Sequence, residues 1–114
     1  MGVVLRGTDT QVTLNACEIS DCSAAVQLAS PTSRLFCHDS MFQNARVIIE
    51  SLKSGFIDLR RSRLDVSNHS DVGLRLASDT VGTVALNTVT GNGSLWGRSL
   101  PPYGVEEDYA RDSN

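Results

Sequence analysis

Aromatic side chains are scarce here: three Phe, two Tyr and one Trp in 114 residues. Charged residues make up 20% of the chain and leave a formal net charge of −3. No basic patch with interleaved aromatics is present, so the usual footprint of a nucleic-acid binder is missing. No apolar run approaches the roughly 20 residues that a membrane-spanning helix needs. The opening MGVVLRGTDT lacks the basic start and apolar core of a secretory signal. Gly2 invites a myristoylation reading, but Arg6 stands where that motif requires Ser or Thr. Neither nucleic acid nor a membrane is therefore an expected partner.

Cysteine is limited to Cys17, Cys22 and Cys37. An odd count argues against a closed disulfide framework, and no C-x-x-C spacing suggests zinc. Small buried thiols in a reducing compartment are expected, which together with the missing signal favours the cytoplasm. His38 follows Cys37 directly, but neighbours on a strand point to opposite faces, so no Cys–His couple is expected. No cofactor is expected.

The chain is long enough for one small domain and not two. Val, Leu and Ile dominate its apolar share, and Ser, Thr and Asn replace much of the missing charge, a mix that suits strands and turns. The apolar pattern repeats. Val12/Leu14 has counterparts at Leu35/Cys37, Ile57/Leu59 and Val84/Leu86. A second pair precedes each of them: Val3/Leu5, Val26/Leu28, Val47/Ile49 and Leu74/Leu76. A third element follows in Ile19, Phe42 and Leu64, each two residues after a small one, Cys17, Ser40 and Ser62. In the last copy, Val89 and Gly91 fall at the matching positions. Polar corners come between, at Asn15-Ala16, His38-Asp39, Arg60-Arg61 and Asn87-Thr88.

Each unit thus holds three short strands in about 22 residues, too few to bury its own apolar side chains. Stacking consecutive units buries them, with each strand paired in parallel to its equivalent one unit later. The fold class this predicts is all-β: a short right-handed parallel β-helix of about four coils with an irregular C-terminal tail. The apolar period is 2 and not 3.6, which argues against helix. A β-sandwich also uses short, evenly spaced strands, but it does not explain three column types that return in the same order. The expected division is a β-helix over residues 1–94 and a partly disordered cap and tail over 95–114, with Leu95 and Trp96 folded under the last coil.

The repeat resembles the coils of the pectin-lyase-like right-handed β-helix superfamily over about residues 2–93. The clearest local match is Val84-Ala-Leu-Asn-Thr-Val-Thr-Gly-Asn-Gly93, which resembles that superfamily's Asn-x-Val-x-Gly-Asn-Gly rung ending. The resemblance implies an architecture more than an activity. Polysaccharide lyases, glycoside hydrolases, phage tailspikes and non-catalytic β-helix segments all belong to the superfamily.

The register predicts the outward residues. They are Val4, Gln27, Ile48 and Arg75 on the first sheet, Thr13, Phe36, Asp58 and Ala85 on the second, and Glu18, Met41 and Arg63 on the third. Glycosidic cleavage needs paired carboxyl groups, and no column stacks two on successive rungs. Asp58, with Arg60 or Arg61 nearby, is the one weak catalytic candidate, against the simpler reading of a surface ion pair. His38 and His69 fall in predicted turns and suggest no metal site. The Arg residues of RRSRL (60–64) could bind an anion, against a plain solvated cluster. Phe36, Met41, Ile48 and Arg63 are the candidate binding residues. The expected function is a non-catalytic structural or binding module, part of a larger β-helix protein or assembly. It would engage a protein, another copy or a polysaccharide through an outward face or an end. The alternative is a fragment of a carbohydrate-active enzyme, a polysaccharide lyase or glycoside hydrolase.

Overall fold

A computed structural model describes residues 3–5, 10–68, 71–96 and 104–112, with side chains over 10–68, 71–96 and 104–106. It is a right-handed parallel β-solenoid of about four turns, built only of strands among the described residues. Three sheets run along it. The first holds β1 (Val3–Leu5), the second half of β3 (Glu18–Leu28), the second half of β5 (Met41–Ser51), β8 (Val72–Arg75) and β10 (Ser94–Trp96). The second holds β2 (Gln11–Asn15), β4 (Arg34–His38), β6 (Phe56–Arg60) and the start of β9 (Val81–Thr90). The third holds the first halves of β3 and β5, then β7 (Arg63–Asp65) and the end of β9. Every pairing is parallel, as stacking of equivalent strands requires.

Alternation explains why these segments form strands. In β4 and β6 every second residue is fully buried: Leu35 and Cys37, then Ile57 and Leu59. Phe42, Leu64 and Val89 fill the equivalent third-sheet column. Val12, Leu14 and Ile19 lie in the same columns but are only half-buried, because β2 and the first half of β3 each pair on one side only among the described residues. The corners from second to third sheet are Ala16, Asp39, Arg61 and Leu86, all with positive φ between 49° and 59°. That left-handed bend turns the chain while leaving its amides on the neighbouring rung: Ala16 N–H donates to His38 O, and Asp39 N–H to Arg60 O.

Two coils are shifted by two residues from the sequence expectation. Val26 and Leu28 pair with Ile49 and Ser51, not with Val47 and Ile49. Ile57 and Leu59 pair with Gly82 and Val84, not with Val84 and Leu86. Each shift has one cause: an inward slot filled by a residue that is not apolar. Ser51 is 5% exposed because its Oγ–H reaches the turn carbonyls of Lys53 and Ser54. Gly82 adopts φ +139°, and a Cβ there would lie 1.7 Å from Ile57 O. Leu86 consequently becomes an exposed corner instead of core.

The outward columns change accordingly. Glu50, not Ile48, follows Gln27 on the first sheet, and Gln27 Nε2 donates to its Oε1 at 2.9 Å. Ile48 is fully buried in the core, so it is not an outward binding residue. Thr83, not Ala85, follows Asp58 on the second sheet. The third-sheet column runs Glu18, Met41, Arg63, Thr88. The side chain of Val4 and the whole of His69 lie outside the described residues.

Within the stretch expected as cap and tail, two strands continue the stack. β10 pairs in parallel with β8, placing Trp96 beside Leu74 and Leu95 in the core. β11 (Gly104–Asp112) pairs in parallel with β9. The acidic run Glu106-Glu107-Asp108 hides the alternation that reveals the other strands.

Candidate functional site

The outer face of the second sheet gathers the chain's polar network. β4 and β6 lie in register, so His38 stands next to Arg60 and Phe36 next to Asp58. The side chains converge on Asp58. Its Oδ2 lies 3.1 Å from His38 Nε2, and its Oδ1 accepts from Arg60 Nε at 2.6 Å. Asp58 is 15% exposed, His38 30% and Arg60 41%, so the cluster is partly shielded from water. Burial pushes the Asp58 carboxyl up, but hydrogen bonds from Arg60 and His38 and their charge outweigh it. The carboxyl is held below the usual carboxylate range.

That depression predicts a pH dependence. A carboxyl more acidic in the folded than in the unfolded state stabilises the fold fully above its unfolded pKa, near about 3.9. The contribution is lost as pH falls from there toward the folded value. Urea midpoints at pH 6 and pH 3 should therefore separate less in Asp58→Asn than in wild type. An equal separation in both proteins would refute the assignment.

The remaining arginines of RRSRL part company. Arg61 Nε donates to Asp39 Oδ1 at 3.0 Å on the exposed corner, which lowers the Asp39 pKa. Arg63, one rung beyond Met41, has no ion pair among the described residues. Met41 and Arg63 both line a groove of about 480 Å³ at the corner between the second and third sheets. Phe36 does not join them. It belongs to a second groove, of about 550 Å³, where the turns preceding β4, β6 and β9 stack. The structure thus unites Met41 with Arg63, places Phe36 beside Asp58 but in another groove, and buries Ile48.

Sequence reasoning missed several members of these sites. The sequence places His38 in a turn, yet it ends β4. Phe56 packs on Phe36, with ring centroids 5.5 Å apart and planes tilted by 44°. A step of 20 residues from His38 to Asp58 could have revealed the first contact, being two short of one coil. Glu106 pairs with Thr83 and so falls in the outward column of Asp58, two rungs on. Among the described residues, no three His, Cys, Asp or Glu converge as metal ligands. Cys37 is fully buried, and burial raises its thiol pKa to about 11 despite hydrogen bonds to Ser40 and Ser62, leaving it a poor nucleophile at neutral pH.

No protein-family model matches the chain, and no curated protein or solved structure shows significant similarity to it.

Proposed function

We propose that the chain is a non-catalytic β-solenoid module of a larger protein or assembly, which engages its partner through the outer face. The observation that supports this most is the state of Asp58. Both of its oxygens are occupied, by His38 and by Arg60, and its neighbours in the column are Phe36 and Thr83. A carboxylate held this way is poorly placed to take or give a substrate proton. Asp39 and Glu50 are likewise engaged, the first by Arg61 and the second by Gln27 and Arg75.

A carbohydrate-active fragment is the second reading, and two observations favour it. One is the resemblance of Asn87–Gly93 to the pectin-lyase-like rung ending. The other is Glu106, whose backbone stands roughly 10 Å from that of Asp58 at the rung spacing of parallel strands. That approaches the carboxyl separation of about 6.5–9.5 Å used by inverting glycosidases.

The two readings separate in one assay. The protein is incubated with a panel of neutral and uronic-acid polysaccharides, with absorbance of unsaturated products and new reducing ends followed over time. No turnover is expected on any of them. Turnover that disappears in Asp58→Asn or Glu106→Gln would replace the module reading with the enzymatic one.

A further inference from the structure

We propose that the groove over the second sheet docks an extended peptide segment of a partner protein, one with an acidic and a basic side chain flanking an apolar one. This rests on the module reading and names the chemistry of its partner. The groove floor is apolar: Phe36 and Phe56 lie half-buried side by side, and Val81 is 47% exposed. Arg34, Phe56 and Val81 form one column on successive rungs. Arg34 stands at one end and Asp79, in the turn before Val81, near the other. Both are exposed, and neither side chain has an ion pair or hydrogen bond among the described residues. Among the described residues Arg46 and Arg63 are exposed and without an ion pair too, but Arg34 and Asp79 carry opposite charges at the two ends of one apolar groove.

The two charges decide the class of ligand. Two rungs span roughly 10 Å, and residues i, i+2 and i+4 of an extended segment share a face over roughly 13 Å, a span that the flexible Arg34 side chain and its partner can bridge. A uronic glycan offers Asp79 no cation, and a neutral glycan offers neither end a charge. A polypeptide supplies both charges, and a side chain between them fills the tilted floor of the two Phe rings.

The test is a titration of the ¹⁵N-labelled protein with acetyl-Asp-Gly-Phe-Gly-Lys-amide, in which the three side chains share one face of the extended peptide, read by amide shifts. Saturable shifts are expected within residues 31–36, 54–56 and 79–81. The all-acidic Asp-Gly-Phe-Gly-Asp and all-basic Lys-Gly-Phe-Gly-Lys peptides should each bind about fivefold more weakly, the worth of one partly exposed ion pair. Arg34→Asp should reverse the preference toward the all-basic peptide, while its dispersed spectrum shows that the fold is kept. Equal binding of the three peptides, no saturable shift, shifts confined to another face, or an unchanged preference in Arg34→Asp would each overturn the proposal. Uncharged oligosaccharides that shift these same residues would also overturn it, yet leave the module reading standing. The polysaccharide assay, in contrast, strikes the module reading without altering what the peptide titration reports.

Discussion

Replacing Gly82 by alanine is expected to destabilise the protein by about 3 to 5 kcal/mol, a loss large enough to unfold much of a small domain. Two costs combine. The backbone at Gly82 has φ +139°, which side-chain-bearing residues rarely adopt, and holding it there costs about 1 to 3 kcal/mol. In addition, the new Cβ would sit 1.7 Å from Ile57 O and 2.9 Å from Ile57 N on the adjacent rung, so the two strands must separate. Gly55 isolates the first cost from the second. Its φ is +134°, but the nearest atom to an added Cβ, Ser33 O, is 3.3 Å away. Gly55→Ala should therefore carry the backbone cost with little of the clash. Urea denaturation of both variants decides the matter, with the Gly82→Ala midpoint falling clearly below that of Gly55→Ala. Equal midpoints would mean that the strands absorb the methyl group.

The same glycine marks where the fold stopped being legible. Period-2 alternation reveals strands by their apolar inward residues, and it located β4, β6 and the third-sheet column through Leu64, but in the last coil Val89 and not Gly91 follows Leu64. It cannot register a strand whose inward slot holds no apolar side chain. At Gly82 the slot has no side chain at all, and the apparent pair slid on to Val84/Leu86. At Ser51 a serine is sealed inside because its hydroxyl bonds the turn below it and accepts from Thr80 Oγ1 at 3.1 Å. The apparent pair slid back to Val47/Ile49 there. Both slips are by two residues, which keeps the inward parity and so leaves the repeat itself intact. Ile48 needed more than a register correction. Residues 47, 48 and 49 are all buried, and no alternating pattern predicts three in a row.

The site was less legible than the fold. Asp58 stood out because an outward carboxylate beside arginine is visible in the sequence once the register is known. His38 was hidden by its place at a corner, where strand and turn residues look alike. Phe56 lies at the first position of β6, ahead of the anchor pair, where the repeat defines no outward column. Arg34 and Asp79 escaped for a different reason. Their significance lies in lacking partners, and a sequence does not show which charges remain unpaired.

Asn87→Leu is expected to cost about 2 to 4 kcal/mol, although leucine suits a buried position and a strand-rich fold. Asn87 is 1% exposed and closes a polar ladder at the inner corner between the second and third sheets. Cys17 N–H donates to Ser40 Oγ at 3.2 Å, Ser40 N–H to Ser62 Oγ at 3.2 Å, and Ser62 N–H to Asn87 Oδ1 at 2.9 Å. Each member also donates back to a backbone oxygen: Ser40 to His38 O, Ser62 to Arg60 O, and Asn87 to Leu59 O at 3.0 Å. The ladder exists because the left-handed corner turns one amide per rung inward, where no strand can receive it. A side chain with an acceptor, on the next rung, is what satisfies it. Leucine leaves Ser62 N–H buried without a partner, and that unmet donor outweighs the gain from an apolar side chain. Asn87→Ser separates the two effects, since a serine fills the same slot on the two preceding rungs. It should recover most of the loss, and the urea midpoints should order as wild type, Asn87→Ser, then Asn87→Leu. A leucine variant as stable as the serine one would show that the corner amides are satisfied without the ladder.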